Sequence, residues 1–370
     1  MPLKEATISA WASVPWAPVT DEATGDIIGW HKADLPYLAP GEGVPLQTFE
    51  IWIPAHETDP SEPPDASVLP RNPTGRWIIY VHGGAWRDAA IGSASFGPAA
   101  VELLRRVHRE RERQRESHLR PAVGAGVSPP AVEGIASLNY RLSPHPAHPS
   151  PCPSRSARHP DHIRDVLAAL ATISERLDYD TLERSVLVGH SCGATLAFQA
   201  VMSAARWRGT TGGGDGGGGG SSSGSSGSVG VPEPPKPSIV VGFNGLYDLA
   251  GFIASPPAGY EGLREAYEEF TRGAFGTDER VWRAVCPATA EGWVDEWVSA
   301  GEGSSREVVL VQSRGDTLVP YEQLEAMRGY LEQDGRVRVR EMEAEGDHDD
   351  IWRNGERMAE ILWEVVKGLE

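Results

Sequence analysis

The chain has 370 residues, of which 40% are hydrophobic, and its formal net charge is -18. This length allows one α/β core with insertions, while the acidic balance argues against nucleic acid and anionic membrane surfaces as partners, since both require clustered Lys and Arg. The three cysteines are scattered and form no CxxC pair, so we expect neither a disulfide framework nor a metal site.

The amino-terminal segment and the hydropathy pattern predict a cytoplasmic protein. Residues 1–16 contain no basic stretch followed by a long apolar one, which argues against a signal peptide. No apolar run approaches the roughly 18 residues that a membrane helix requires, so we expect no membrane association. Sparse cysteines fit a reducing compartment. The sequence leaves open whether the chain forms a homodimer.

The first strong strand patterns lead into a glycine-rich loop. Residues 46–53 (LQTFEIWI) alternate like a half-buried strand, and residues 77–81 (WIIYV) form a short apolar run that is typical of a buried strand. The second run ends at HGGAW, residues 82–86. Glycines at a strand end allow the backbone to turn several N–H groups toward one point, as binding of a negative oxygen requires.

Helix and strand patterns continue to alternate after this loop. Residues 97–116 have a helical pattern, and the charge run within 105–120 is typical of a solvated helix extension, to which we assign no function. Residues 135–142 (IASLNYRL) predict the next strand. The Pro- and His-rich residues 143–160 must be irregular, and residues 162–177 predict an amphipathic helix.

A G-x-S-x-G sequence then stands between a strand and a helix. The apolar residues 185–188 (SVLV) precede GHSCG (189–193), and small residues continue in a helix that is predicted over 193–206. This strand–turn–helix setting is that of the nucleophile elbow of α/β-hydrolases, which exposes the Ser hydroxyl at the end of the sheet. We therefore predict Ser191 as the nucleophile. Cys192, a rival thiol one residue later, is interpreted as a small packing residue.

The HGGAW loop stands where α/β-hydrolases have the second arm of their oxyanion hole. We predict that Gly83, Gly84 or Ala85 binds the negative oxygen of a tetrahedral intermediate together with the N–H of Cys192, next to a helix N-terminus. His82 is interpreted as a brace of this loop and not as a base, because the nucleophile, the acid and the base follow later in the chain.

A low-complexity segment at about 209–237, rich in Gly and Ser and then in Pro, interrupts the pattern. Such a segment cannot bury enough apolar surface to offset its ordering entropy, so we predict a disordered insertion. Because the alternation resumes beyond it, we expect residues 1–370 to form a single domain. The later patterns predict strands at 238–243, 307–312 and 337–342 and helical segments at 260–297, 322–333 and 350–369.

The base and its orienting acid follow from the chain order of α/β-hydrolases, which is Ser, then Asp or Glu, then His. His348 is the one histidine after Ser191, and it lies between the last predicted strand and the last predicted helix. Asp316 follows the strand at 307–312, so its carboxylate can orient the imidazole. Asp248 stays open as a second candidate, whereas the aspartates beside His348 are too near in sequence to reach round its ring.

Five segments together resemble one family. They are HGGAW (82–86), NYRLSP (139–144), GHSCGA (189–194), SRGDTLVP (313–320) and GDHDDIW (346–352). These segments resemble kynurenine formamidases, particularly those of fungi, and more loosely the hormone-sensitive-lipase-like esterases. The resemblance extends from about residue 46 to the carboxyl terminus, apart from the low-complexity insertion.

The alternation of strands and helices predicts an α/β protein with a mainly parallel central sheet and helices on both faces. The resemblance implies that this is an α/β-hydrolase fold, and that the protein hydrolyses N-formyl-L-kynurenine to L-kynurenine and formate without a cofactor. By position, the resemblance implies a triad of Ser191, Asp316 and His348 and an oxyanion hole of Gly83, Gly84 and the Cys192 N–H.

A formyl group is small, so most of the pocket must accept the aromatic and amino-acid part of such a substrate. Trp86, Tyr140 and Tyr247 are the predicted wall residues. Two other functions stay open: a short-acyl carboxylesterase would use the same triad, and a non-catalytic binding protein would keep only the fold. The complete set of motifs argues against the second. A phosphate-binding loop is excluded, because no Gly-Lys-Ser/Thr follows the glycine run.

Overall fold

The computed structural model describes residues 10–39, 41–65, 75–118, 132–147, 152–177, 179–208, 231–300 and 305–368. The predicted insertion therefore lies outside the described residues over 209–230. Its last part, 231–237, is predicted to be disordered, and this prediction is wrong. Trp297 donates a hydrogen bond through Nε1 to the carbonyl oxygen of Pro237 at 2.9 Å, and Lys236 is buried. Prolines restrict the backbone here, so packing this stretch costs little conformational entropy.

Within the described residues, one sheet contains all the strands that are assigned. They are β1 (Ala17–Thr20), β2 (Ile27–Pro36), β3 (Thr48–Pro54), β4 (Arg76–Val81), β5 (Val132–Leu138), β6 (Val186–His190), β7 (Ile239–Phe243), β8 (Glu307–Ser313) and β9 (Arg338–Ala344). The strand order is β1-β2-β3-β5-β4-β6-β7-β8-β9. The pairs that involve β1, β2 and β3 are antiparallel, and the pairs from β5 to β9 are parallel. The prediction of a mainly parallel sheet is confirmed.

Helices cover both faces of this sheet, as the sequence predicts. They are α1 (Gly97–His118), α2 (Asp161–Arg176), α3 (Tyr179–Glu183), α4 (Cys192–Val201), α5 (Leu249–Ala254), α6 (Arg264–Phe275), α7 (Glu279–Val285), α8 (Trp293–Val298), α9 (Tyr321–Asp334), α10 (Asp350–Asn354) and α11 (Glu356–Lys367). Helices α1 and α11 share one core with Ile78 and Val186, and α2 and α4 share another core with Ile79 and Leu187. Neighbouring strand residues thus point to opposite faces. In the described parts of the chain, no helix has both the length and the apolar character needed to cross a bilayer.

Several element boundaries differ from the sequence predictions. The predicted strand 135–142 is β5, which begins at Val132 and ends at Leu138. The predicted helix 193–206 ends at Val201 as α4 and is followed by the short 3-10 helix Ala204–Trp207. The predicted helical segment 260–297 consists of α6, α7 and α8 with loops between them.

The predicted closing helix 350–369 is two helices, because the chain turns at Gly355. This residue has a φ of 69°, in the left-handed region that favours glycine. A Cβ at Gly355 would lie 2.4 Å from the backbone nitrogen of Ala99 at the start of α1. Glycine therefore allows both the turn and the close approach of α1.

Strands β1 and β2 are absent from the sequence predictions. Strand β2 contains Gly29, Lys32 and Pro36, which interrupt the apolar alternation that identifies a strand. In the structure Lys32 is nevertheless buried, and its Nζ donates to the carbonyl oxygen of Trp11 at 3.0 Å. A tertiary contact thus places a charged residue in a strand where local sequence gives no sign of it.

Candidate active site

The carboxyl ends of several parallel strands meet at one edge of the sheet. Strand β4 leads into the HGGAW loop, β6 into Ser191, β8 into the loop of Asp316, and β9 into the loop of His348. Parallel strands bring such ends together even when they are far apart in sequence. A cavity of about 300 Å³ lies at this edge, and both Ser191 and His348 line it.

Ser191 stands on a strained turn between β6 and α4. Its backbone has φ 55° and ψ −124°, a conformation that residues other than glycine rarely adopt. Its amide donates to the carbonyl oxygen of Phe243 at 2.9 Å, and its carbonyl accepts from the amide of Ala194 at 3.0 Å. A Cβ at Gly193 would lie 2.2 Å from the carbonyl oxygen of Val81. Only glycine fits there, so the local sequence permits the elbow that exposes Ser191.

The structure joins the predicted base and the predicted acid. Nδ1 of His348 lies 2.7 Å from Oδ2 of Asp316, and both side chains are buried. The other carboxylate oxygen, Oδ1, accepts from the amides of Leu318 and Val319, each at 2.8 Å. A carboxylate fixed in this way places the imidazole proton on Nδ1 and leaves Nε2 as the basic nitrogen.

Ser191 and His348 meet at the cavity without a direct bond. In the part of the chain that the structure describes, no hydrogen bond joins the Ser191 hydroxyl to the imidazole of His348. In the absence of substrate, such catalytic hydrogen bonds are often long and shorten only in the complex. The ring nitrogen that does not face Asp316 is thus the one left for the hydroxyl.

The loop after β4 has an unusual backbone. The φ angles are 95° at Gly84, 49° at Ala85 and 59° at Trp86, and all three lie in the left-handed region that costs energy for residues other than glycine. Its hydrogen bonds include one from the amide of Trp86 to Sγ of Cys192 at 3.2 Å and one from the amide of Ser143 to the Trp86 carbonyl at 2.7 Å.

The predicted oxyanion residues divide into two groups by position. Gly84 and Ala85 line the cavity, whereas Gly83 and Cys192 are not part of its lining. A Cβ at Gly83 would lie 2.8 Å from Nδ1 of His190, so this glycine allows close packing beneath the site. The amide of Cys192 belongs to the first turn of α4, where N–H groups have no intrahelical acceptor. The Cys192 amide therefore needs an acceptor outside the helix, and Gly84 and Ala85 are the loop residues that line the cavity.

The side chain of Cys192 faces away from the cavity. It is fully buried, and its Sγ accepts from the Trp86 amide and lies 3.6 Å from Oη of Tyr140. Burial raises the pKa of this thiol to about 11, so it stays protonated at neutral pH. A buried, protonated thiol is a poor nucleophile, and this position fits a packing residue that also holds the loop.

His82 braces the same loop. It is buried, its Nδ1 lies 2.8 Å from the carbonyl oxygen of Gly83, and its ring stacks on Tyr140 with centroids 4.4 Å apart. Burial lowers the pKa of His82 to about 4. Oη of Tyr140 donates to the carbonyl oxygen of His82 at 3.1 Å. These contacts support the backbone of the HGGAW loop.

The predicted wall residues do not line the cavity, which corrects the sequence analysis. Trp86 and Tyr140 are completely buried and Tyr247 is 1% exposed. Trp86 packs edge-on against Phe275 with centroids 4.9 Å apart, and the hydroxyl of Tyr247 fills the space where a Cβ of Gly242 would be. These aromatic rings support the site from the core, a position that sequence alone does not distinguish from a pocket wall.

The residues that do line the cavity are mostly ones that sequence reasoning missed. The main apolar ones are Leu246, Leu263, Tyr267, Phe270, Leu318 and Val319. The charged ones are Arg87, Asp88 and Asp349. Arg87 and Asp88 directly follow the HGGAW loop, and this adjacency is the signal in the sequence that points to them.

Two buried side chains, also missed, hold the backbone of the predicted base. Nε2 of His190 donates to the carbonyl oxygen of His348 at 3.0 Å, and Nδ2 of Asn244 donates to the same oxygen at 3.2 Å. Oδ1 of Asn244 accepts from the amide of Ser313 at 3.1 Å. Burial lowers the pKa of His190 well below its usual value, so the ring is neutral and keeps one N–H to donate. The ends of β6, β7 and β8 are thus tied to the loop of His348.

Two other aspartates have structural contacts. Oδ1 of Asp248, the second candidate acid, accepts from the amide of Gly251 at 2.8 Å and caps α5. Oδ1 of Asp347 accepts from the hydroxyl and the amide of Thr317 and from the amide of His348, and these hydrogen bonds lower the pKa of Asp347 to about 2. Asp347 therefore organises the loop, while Asp316 is the carboxylate at the imidazole.

One group of side chains at the cavity has the composition of a metal site. The ligand atoms of His190, His348 and Asp349 lie within 4.8 Å of one another. However, Nδ1 of His348 is bonded to Asp316, and Nε2 of His190 donates to a backbone carbonyl. Each ring thus has one nitrogen already engaged, and we assign these residues to the arrangement around Ser191.

Comparison with known proteins identifies fungal relatives over most of the chain. A kynurenine formamidase-like hydrolase of Fusarium equiseti is 31% identical over 351 residues, which cover 92% of this chain and 96% of the relative. A kynurenine formamidase of Aspergillus versicolor is 31% identical over 295 residues, which cover 76% of this chain and 84% of the relative. No family model matches the chain.

Comparison with solved structures finds proteins of the same fold. The crystal structure of an inhibited esterase B from Lactobacillus rhamnosis matches with a TM-score of 0.51 and 14% identity, covering 98% of this chain and 92% of that one. At this identity the similarity shows the fold alone, which is the predicted α/β-hydrolase fold. Together with the two fungal relatives, these findings show that the chain is an enzyme, a hydrolase, and belongs to the kynurenine formamidase family.

Proposed function

We propose that the protein hydrolyses N-formyl-L-kynurenine to L-kynurenine and formate, with Ser191 as nucleophile, His348 as base and Asp316 as the residue that orients the base. The observation that supports this most is the 2.7 Å contact between Asp316 and His348 beside the strained Ser191. The names of the fungal relatives support the choice of a formamide as substrate.

The first half of the reaction forms a formyl-enzyme. Oγ of Ser191 attacks the formyl carbon while Nε2 of His348 takes the hydroxyl proton. The carbonyl electron pair moves onto the oxygen, and the amides of Cys192 and of Gly84 or Ala85 bind the resulting oxyanion. The carbon–nitrogen bond then breaks, and His348 gives its proton to the departing aromatic amine.

The second half of the reaction releases formate. A water molecule gives a proton to Nε2 of His348 and attacks the formyl carbon. The same amides bind the second oxyanion, the bond to Oγ breaks, and His348 returns a proton to Ser191. Each half uses one base and one oxyanion site, so the cycle requires no cofactor.

The lining of the cavity suits a large aromatic leaving group. A formyl group is small, so most of the cavity is left for the rest of the substrate. The rest of the cavity has an apolar wall that includes Leu246, Phe270 and Leu318. An aromatic ring can bury its apolar surface against such a wall.

Steady-state kinetics with two substrates test this proposal. We expect the kcat/KM for N-formyl-L-kynurenine to exceed that for 4-nitrophenyl acetate by about 10-fold or more, since a small difference in pocket contacts has this effect. Ser191→Ala, compared with wild type by its melting temperature, should lose about 10³-fold or more on both substrates.

Other outcomes would contradict the proposal in different ways. Rapid ester hydrolysis with no turnover of the formamide would support a short-acyl carboxylesterase instead. Turnover of neither substrate by folded wild-type protein would support a non-catalytic binding protein.

We also propose that the protein functions in the cytoplasm. Cys152, Cys192 and Cys286 are free thiols, and thiols stay reduced in the cytosol. A fluorescent fusion of the full chain, viewed in its own cells, should give diffuse cytosolic signal. Fluorescence confined to a secretory compartment would contradict this location.

A further inference from the structure

The cavity beside Ser191 contains charges that the proposed reaction steps do not use. Arg87, Asp88 and Asp349 all line it. Hydrolysis of a neutral ester or of a simple aryl formamide needs none of them. A free amino acid, in contrast, carries an ammonium group and a carboxylate, and each requires an opposite charge when it leaves water.

Arg87 is the one arginine or lysine among the described residues of the cavity lining. Its guanidinium lies 5.9 Å from the ring centroid of Phe270 and 3.4 Å from the carboxylate of Glu269, whose side chain is 48% exposed. A second contact, from Nη2 of Arg87 to Oε2 of Glu269, is also 3.4 Å, and the Arg87 side chain is 15% exposed. Both contacts are long and Glu269 is half-exposed, so the pair contributes little stability. The guanidinium has five N–H donors, so it can bind a substrate carboxylate in addition to Glu269.

Asp88 has one carboxylate oxygen that can accept hydrogen bonds from a ligand. Its Oδ1 accepts from the amide of Ala90 at 2.8 Å, and among the described residues no donor is bonded to its Oδ2. Both oxygens of Asp349, in contrast, accept hydrogen bonds, from Nε1 of Trp352 and from Nη2 of Arg353, each at 3.0 Å. Asp88 is therefore better suited than Asp349 to bind a cation.

The backbone ties Arg87 and Asp88 to the HGGAW loop. Their amides donate to the carbonyl oxygen of Gly84 at 2.9 and 2.8 Å, so both follow directly from the oxyanion loop. A Cβ at Gly84 would lie 3.2 Å from Cβ of Asp88. No ion pair joins Arg87 to Asp88 within the described parts of the chain, so the two charges do not neutralise each other.

We propose that Arg87 binds the α-carboxylate and Asp88 the α-ammonium of the substrate, so that the site selects aryl formamides that carry a free α-amino acid. This inference rests on the proposed formamidase function and adds a specificity subsite to it. The ammonium and the carboxylate of an amino acid are bonded to one carbon. Two consecutive side chains of opposite charge in the cavity lining match that arrangement.

Three formamides test the inference with wild-type enzyme. They are N-formyl-L-kynurenine, its decarboxylated analogue, which keeps the amine, and 2′-formamidoacetophenone, which lacks the whole amino acid. We expect kcat/KM to fall by about 10-fold or more when the carboxylate is removed, and to fall further when the amine is also removed, because charge-assisted hydrogen bonds are lost.

Variants of Arg87 and Asp88 then show which charged group of the substrate each side chain binds. Arg87→Gln should lose about 10-fold or more on N-formyl-L-kynurenine and less than about 2-fold on the two analogues, with partial recovery in Arg87→Lys. Asp88→Asn should lose activity on both amine-containing substrates but not on 2′-formamidoacetophenone. Arg272→Gln is the matched control, since Arg272 pairs with Glu268 on the surface of α6 and does not line the cavity.

The outcomes separate this inference from the function on which it rests. Equal turnover of the three formamides by wild type would overturn the subsite and leave the formamidase function standing. An equal loss on all three substrates in Arg87→Gln, with an unchanged melting temperature, would also overturn it. No turnover of any formamide by folded wild type would overturn the proposed function and the subsite together.

Discussion

Both carboxylate oxygens of Asp316 have hydrogen-bond partners within the fold. It is 2% exposed, Oδ1 accepts from two backbone amides at 2.8 Å, and Oδ2 lies 2.7 Å from Nδ1 of His348. The amides of Leu318 and Val319 fix one oxygen, and Nε2 of Gln312 donates to the other, Oδ2, at 3.4 Å. In the proposed mechanism this geometry sets the tautomer of the imidazole, which in turn makes Nε2 the base for Ser191.

Asp316→Asn tests this role. In this variant an NH2 group can take the place of Oδ2 and donate to Nδ1 of His348. The imidazole then favours the wrong tautomer, with its proton on Nε2. We expect kcat to fall by about 10³- to 10⁴-fold with a much smaller change in KM. Steady-state kinetics with N-formyl-L-kynurenine measure both constants, and near-UV circular dichroism checks the fold. A folded variant that keeps more than about a tenth of the wild-type kcat would contradict the role.

Chemical modification distinguishes Ser191 from Cys192 as the nucleophile. Because burial raises the pKa of Cys192 to about 11 and the side chain is not exposed, iodoacetamide at neutral pH should leave the native enzyme fully active. Peptide mapping identifies which cysteines are modified, and denatured protein serves as the control in which Cys192 reacts. Loss of activity that parallels alkylation of Cys192 would show that the thiol takes part in the reaction.

At the scale of elements, the site depends on how the ends of neighbouring strands are joined. Asn244 follows β7, accepts from the amide of Ser313 at the end of β8, and donates to the carbonyl of His348 after β9. His190 at the end of β6 donates to the same carbonyl. These bonds fix the loop of His348 relative to the elbow, although neither side chain contacts a reacting atom in the proposed mechanism.

Replacement of Asn244 tests whether this junction positions His348. Asn244→Asp keeps the acceptor for Ser313 but loses the N–H donor to the His348 carbonyl, so it separates the two bonds. We expect kcat to fall by about 10-fold or more with KM little changed, since small displacements of a catalytic group are costly. A variant with wild-type kcat and a lowered melting temperature would show that the junction serves stability alone.

Local sequence determines some parts of this arrangement and not others. Ser191 could be predicted because its glycine neighbours and its strand–turn–helix setting are contiguous, and His348 because it is the one histidine after Ser191. The bond from Asn244 to His348 spans 104 residues and depends on strand order, which no local pattern gives. Local sequence also does not predict that the rings of Trp86, Tyr140 and Tyr247 are buried, since tertiary packing decides this.

At the scale of the whole molecule, burial of neutral histidines makes stability depend on pH. Burial lowers the pKa of His82 to about 4, of His162 to about 3, and of His190 well below its usual value. In the unfolded chain these groups return to a pKa of about 6.5. Below that pH the unfolded state binds protons that the folded state does not, so the free energy of unfolding falls as the pH falls.

Urea denaturation at several pH values tests this linkage. Each such histidine contributes about 1.4 kcal/mol per pH unit where only the unfolded state is protonated. We expect the free energy of unfolding to fall by about 2 to 4 kcal/mol per unit between pH 6 and 5, and these groups to contribute no slope above about pH 7.5. The same unfolding midpoint at about pH 7 and pH 5 would contradict the account of these buried side chains.

Covalent labelling tests the assignment of Ser191 as nucleophile and His348 as base. The full chain is treated with a fluorophosphonate, which reacts with an activated Ser hydroxyl, and the modified peptide is identified by mass spectrometry. We expect one equivalent of label on Ser191, none in Ser191→Ala, and a strongly reduced rate in His348→Ala. Label on another residue, or no label on Ser191 in folded wild-type protein, would contradict it.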